Sequence, residues 1–200
     1  MLIDVDQILE MHESAMERWH QQGIDNPYAG FMHIACHQCA LNYRLWHQED
    51  IARSPRASDS ELAQVKRAID KLNQLRNDHI EVMDDWIAAA LERAKVTPSA
   101  RAPLNTETPG SVIDRLAILG LRIFHLREQA QRDDVDVMHR RSVTAKRNTC
   151  LEQRMDLAAS LKRLVRDISL GRKRHKTYRQ LKMYNDPTLN PYLYQSRNAA

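Results

Sequence analysis

The stretch that opens at Ser111 and runs to about Gln131 has almost no polar face. Successive helix residues turn by about 100°. Leu116, Ala117, Leu119, Gly120, Ile123, Phe124 and Leu126 therefore cover nearly the whole circumference. Such a helix should be buried nearly all round. The rest of the chain is rich in helix formers, Leu, Ala, Arg, Gln, Glu and Met, and holds only 5 Gly and 7 Pro. With 42% hydrophobic residues it can bury a core. The expectation is an all-α fold: one domain over residues 1–200, a bundle of about five to six helices with a short extended C-terminal tail.

Breakers divide the chain. A first helix spans about Val5 to Gln21 and stops near Gly23. Asp25-Asn26-Pro27 turns into a second, about Tyr28 to Arg53. After the linker Ser54-Pro55-Arg56-Ala57, Ser58 or Asp59 caps a third, which continues to about Ala94. Val96 to Pro109 reads as a loop. Ser111 reads as the next N-cap, with Asp114 three residues on, close to a capping-box spacing. A long helix from about Val135 to Leu170 ends at Gly171. A short basic helix and the extended tail are expected after it. No internal repeat is present. No apolar run approaches the ~20 residues of a membrane span. The first residues lack a signal-peptide pattern, and 3 cysteines argue against a disulfide framework, so a cytoplasmic location is expected.

Charge is unevenly spread. Residues 1–138 carry 15 Lys+Arg against 22 Asp+Glu, and residues 139–200 carry 15 against 4. The basic part peaks at Arg172, Lys173, Arg174, Lys176, Arg179 and Lys182. It either attracts a phosphate-bearing partner or simply balances the acidic part as a solvated face.

Several polar residues stand where a structural helix does not need them. On the second helix Asn42, Trp46, Glu49, Asp50 and Arg53 share an arc of roughly 100°. On the third, Asp70, Asn73, Asn77, Glu81 and Asp84 share roughly 80°, beside the apolar line of Val65, Ile69, Leu72, Ile80, Met83 and Ile87. If the two helices pack antiparallel, these stripes could face each other. The all-apolar helix itself carries Asp114 and His125 on one line, and Arg115 and Arg122 on another. Buried charges need partners, so these residues form either a structural network or a ligand or catalytic site. Glu49, Asp50, Glu81 and Asp84 are hard oxygen donors that suit Mg²⁺ or Mn²⁺, and Glu81 and Asp84 lie one turn apart. His47 or His125 could move a proton near neutral pH. Cys36-His37-Gln38-Cys39 has no second pair and sits in a helical pattern, so core packing is the expectation for both cysteines. Trp19, Trp46 and Trp86 also read as core. No phosphate loop, nucleophile elbow or zinc-protease motif is present.

Four segments carry a family resemblance. They are Leu45-Trp46-His47-Gln48-Glu49-Asp50-Ile51-Ala52-Arg53, then Ile69 to Asp78 with Ile80, Glu81 and Asp84. Next come Asn105-Thr106-Glu107-Thr108-Pro109-Gly110-Ser111 with Ile113 to Leu116 and His125, and last Tyr178 to Pro187 with Leu189-Asn190-Pro191. Over about residues 40–192 the chain resembles the bacterial DUF4254 family; Cys36 and Cys39 are not part of that pattern. The resemblance implies a helical, cytoplasmic bacterial protein. It also implies an association with glycosyltransferases of cell-envelope polysaccharide synthesis, and hence a phosphorylated sugar or nucleotide-sugar ligand. It supplies no established activity or cofactor.

The leading expectation is thus an enzyme or binding domain for such a ligand. His47, Glu49, Asp50, Glu81, Asp84, Asp114 and His125 would be its catalytic or metal-binding groups. Arg53, Arg76, Arg115, Arg154 and Lys182 would clamp the phosphate, and Trp46, Asn73, Asn77 and Asn185 would add contacts. One alternative is a Mg²⁺-dependent all-α pyrophosphohydrolase built on Glu49/Asp50 and Glu81/Asp84. Another is a non-enzymatic adaptor for a glycosyltransferase, docking through Arg172, Lys173 and Arg174. Nucleic acid is not an expected partner, because no reading element accompanies the basic residues.

Overall fold

A computed structural model describes residues 2–194. Five long helices follow in order: α1 Val5–Gln21, α2 Gly30–Ala52, α3 Asp59–Arg93, α4 Pro109–Ala130 and α5 Val137–Ser169. A 3-10 turn at Met183–Asn185 and a one-turn helix α6, Pro191–Tyr194, lie in the tail. No strand forms among the described residues, and no helix there is long and apolar enough to cross a membrane.

Helix α4 is the centre: it packs against α1, α2, α3 and α5. That is the consequence of its apolar circumference, with Ile113, Leu116, Ala117 and Leu121 all sealed from solvent. One hydrophobic cluster gathers residues of all five long helices, from Ile8 and Met11 through Met83 and Ile87 to Leu161 and Val165. Cys36 and Cys39 are fully buried in it, and burial raises both thiols, Cys36 to about 11. They are core residues that stay protonated.

The helix ends follow from local chemistry. Asp4 caps α1, Ser58 and Glu61 form a capping box at α3, and Asp136 caps α5. At α4 the expected N-cap Ser111 is not the cap. Thr108 takes that place, and Ser111 is the third helical residue whose hydroxyl closes the capping box. Pro109 explains the shift, since its missing N–H and fixed φ suit the first helical position. Helix α2 begins at Gly30 rather than Tyr28, because residues 22–29 form an extended link that runs back along α1, tied by Trp19 Nε1 donating to Asp25 Oδ1 at 2.8 Å. Among the described residues no basic helix follows Gly171. Residues 172–182 instead lie across the loop between α3 and α4, where the Arg174 N–H donates to the Pro103 carbonyl at 3.0 Å. Gly171 turns the chain into that path at φ +67°, and a Cβ there would sit 2.7 Å from the Thr97 carbonyl oxygen.

Two buried residues make the packing testable. Gly110 presses the start of α4 onto α3, where a Cβ would meet the Ile80 carbonyl oxygen at 2.7 Å and the Asp84 side chain at 2.9 Å. Gly110→Ala is expected to destabilise by about 1–3 kcal/mol, seen as a lower urea midpoint at unchanged m-value. His12 is fully buried, neither ring nitrogen has a partner, and burial lowers its pKa to about 3. Its folded pKa lies below the unfolded 6.5, so its neutral ring favours folding above pH 6.5 and that advantage is lost as pH falls toward 3. His12→Leu should therefore flatten the decline in melting temperature between pH 6.5 and 4 that the parent chain shows.

Candidate functional site

Three polar assemblies are built on the bundle, and the expected site residues divide among them. The first surrounds Asp114, which is 2% exposed on α4. Gln38 Nε2 and Asn42 Nδ2 of α2 donate to its Oδ1 at 2.6 and 2.8 Å. Arg76 of α3 donates through Nε to the same oxygen at 2.8 Å and through Nη2 to Oδ2. Every oxygen of the carboxylate is occupied and the guanidinium grips it in a fork. This is a structural network that locks α2, α3 and α4 together, so Arg76 faces a carboxylate rather than a phosphate.

The second assembly sits where the tail crosses α3. Asp84 is 2% exposed, accepts the Gly110 N–H at 2.8 Å and bonds to Thr108. It holds the N-terminus of α4, where the unpaired N–H groups and helix dipole favour an acid. Burial nevertheless pushes its carboxyl up, against the downward pull of Thr108, Gly110 and His175. Glu81 accepts from Arg179 at 3.0 Å and from the Gln180 N–H at 2.9 Å, while Arg179 also reaches Asp85 at 2.9 Å. His175 Nε2 donates to the Asp84 carbonyl at 2.8 Å. The basic segment thus uses its charge internally: Lys173 binds Asn105 at 2.8 Å and Arg174 binds the Ala102 carbonyl at 2.8 Å. Arg172 approaches Asp167 at 3.9 Å.

The four carboxylates expected to share an ion are apart. Meeting edge-on at 4.4 Å, His37 and His79 mark the antiparallel register of α2 and α3. From that contact Glu49 and Glu81 lie in opposite directions, about 20 Å apart along the pair at 1.5 Å per residue. Glu49 pairs with Arg53 on its own helix, and Asp50 approaches His47 at 3.5 Å. The acids Glu49 and Asp50 therefore do not meet Glu81 and Asp84, and the two-helix acid geometry of a pyrophosphohydrolase is not formed by these four residues. Nor do the expected phosphate clamps converge. Arg115 is held by Glu107 at 2.6 Å, and Arg154 by Glu13 and the Leu9 carbonyl. Asn73, Asn77 and Lys182 are half-buried and make no hydrogen bond among the described residues, and the side chain of Asn185 lies outside them.

The third assembly unites three helices. His20 in the last turn of α1, His47 of α2 and His125 of α4 each place one ring nitrogen within 4.8 Å of the others. Their ring centroids are 5.1–5.7 Å apart. Each Nδ1 has its own acceptor: the Met16 carbonyl at 2.7 Å for His20, Asp50 at 3.5 Å for His47 and Glu128 at 2.8 Å for His125. Those acceptors place the proton on Nδ1 and leave Nε2 with its lone pair. All three Nε2 atoms are buried and without a partner. Rings hold the cluster in place: Phe124 stacks on His20 at 4.0 Å, Trp46 stacks on His125 at 4.9 Å, and Tyr43 meets His20 and His47 edge-on. Desolvation, followed by the neighbouring His20 and His125, lowers the pKa of His47. Among the described residues this is the group of His, Cys, Asp and Glu that could hold a metal ion. Sequence reading singles out His47, His125 and Trp46, and misses His20, which no local pattern connects to the other two.

A family model described as "Protein of unknown function (DUF4254)" matches residues 32–177, and the chain belongs to that family. His47 and His125 fall inside the matched residues, whereas His20 and the tail motif from Tyr178 fall outside. No curated protein and no solved structure matches the chain.

Asp114 provides the clearest energetic test. Asp114→Ala leaves the Arg76 guanidinium, 23% exposed, without its carboxylate. It should destabilise by about 3–5 kcal/mol in chemical denaturation, while Glu49→Ala, on an exposed pair, should stay within about 1 kcal/mol.

Proposed function

We propose that this member of the DUF4254 family is a metal-dependent protein whose ion is held by His20, His47 and His125. Its ligand would be a phosphorylated sugar or nucleotide-sugar. The observation that carries the reading is one ring nitrogen from each of three histidines within 4.8 Å of the others, on rings whose Nε2 atoms are buried and unpartnered among the described residues.

A buried imidazole nitrogen without a partner is unfavourable, and three such nitrogens on adjacent rings are more so unless something satisfies them. Neutral imidazole is a ligand for Zn²⁺ and similar transition ions, rather than for the Mg²⁺ or Mn²⁺ that a carboxylate site would suit. Asp50 and Glu128 behind His47 and His125 supply the outer partners that orient a ligating ring and raise its basicity. Three protein ligands leave a fourth position for water or for an oxygen of the bound molecule. An ion there would activate water at neutral pH or polarise a phosphoryl oxygen. The stacked Trp46 and Phe124 rings restrict how far His125 and His20 can turn, so the ligands are preorganised.

The test is zinc content measured after reconstitution and dialysis, with affinity from competition against a chelator. About one zinc per chain is expected. His20→Ala, His47→Ala and His125→Ala should each abolish retention while melting like the metal-free parent. Asp50→Asn and Glu128→Gln should weaken affinity by roughly 10–100-fold. Saturating zinc at 100 times its dissociation constant should stabilise the parent by about 2.7 kcal/mol. Zinc retained equally by all three alanine variants would sink the proposal.

A further inference from the structure

Helices α4 and α5 leave a groove of about 650 Å³ between them. Arg115 and Arg122 line it from α4, and Gln153, Asp156 and Ser160 from α5, above an apolar floor that includes Ile118. A smaller hollow of about 180 Å³ shares Ser160 and continues the groove toward Lys173. The two arginines stand seven residues apart, which puts them on one line of the helix and about 10 Å apart along it. Glu107 neutralises part of Arg115. Arg122 is exposed and makes no ion pair or hydrogen bond among the described residues, although Asp156 lines the same groove. Gln153, Asp156 and Ser160 are likewise without partners there.

We infer that this groove binds an organic phosphate that carries hydroxyl groups. The chemistry of the lining separates the two parts of the ligand. Guanidinium groups present forked N–H donors that match phosphate oxygens, and two of them at this spacing can serve two linked phosphoryl groups. Asp156 repels phosphate and accepts from hydroxyls, while Ser160 and Gln153 can both donate and accept. A bare anion would leave Asp156 unused, and a neutral polyol would leave Arg122 unused. The inference deepens the ligand class proposed above, but it stands on the groove and not on the metal.

Two probes, inorganic pyrophosphate and glucose 1-phosphate, distinguish the parts. Calorimetric titration of the metal-free protein should show both binding, more weakly as salt is raised. Arg122→Ala should weaken both by about 10–100-fold, and Arg122→Lys by less. Because Arg122 makes no ion pair or hydrogen bond among the described residues, its variants should melt like the parent. Asp156→Asn should weaken glucose 1-phosphate yet leave pyrophosphate equal or tighter, since it removes an acceptor and a like charge together. His47→Ala should change neither affinity. Absence of binding for both probes, or affinities untouched by Arg122→Ala, would overturn the inference. Zinc failing to bind while these results hold would reject the metal centre and leave the groove standing.

Discussion

The carboxylate of Asp114 is the interaction on which the arrangement of this protein depends. It sits on the central helix α4, on a side turned away from solvent, and three side chains from two other helices close around it. Apolar contacts alone would let α2 and α3 slide along α4, because aliphatic surfaces have little directional preference. A charged group with four directional bonds permits one register. That register puts Gly110 against Asp84 at one end of α4 and His125 between Trp46 and His47 at the other. Through that register the buried acid places the residues around it.

The capping of α4 by Asp84 extends the same logic to the tail. The acid sits on α3, the helix start it satisfies belongs to α4, and the segment after α5 closes over both through His175 and Arg179. A part of the charge asymmetry of the chain is met at this point, where Arg179 pairs with Glu81 and Asp85. Basic residues of the C-terminal part meet acids of α3, and a solvated surface loses little by the exchange. Part of the basic run, Arg179 above all, serves as a clasp.

Much of the fold was legible because its signals are local. The apolar circumference of 111–131 identifies the central helix, and the Gly and Pro positions mark most ends to within a few residues. The errors occurred where two local rules competed. Ser111 and Thr108 both suit an N-cap, and Pro109 decides between them. The run Arg172 to Lys182 has helix-forming residues, but its pairing with the α3–α4 loop wins. The site was less legible. Period-based faces show which residues share a line on one helix, not which helices meet or in what register. Glu49 and Glu81 satisfied the first condition and failed the second. His20 has no unusual neighbours in sequence, and its place beside His47 and His125 arises from tertiary packing alone.

The position of the central helix along the chain has a consequence for synthesis. Helix α4 begins at residue 109 of 200, so α1, α2 and α3 leave the ribosome before the element that fills the space between them. At roughly 5–20 residues per second, their apolar faces wait for several seconds or longer with nothing to cover them. The acid of Asp84 and the guanidinium of Arg76 wait equally for α4. The nascent chain therefore passes through a stage in which three formed or half-formed helices surround a vacancy, and chaperone capture at that stage would compete directly with completion of the core.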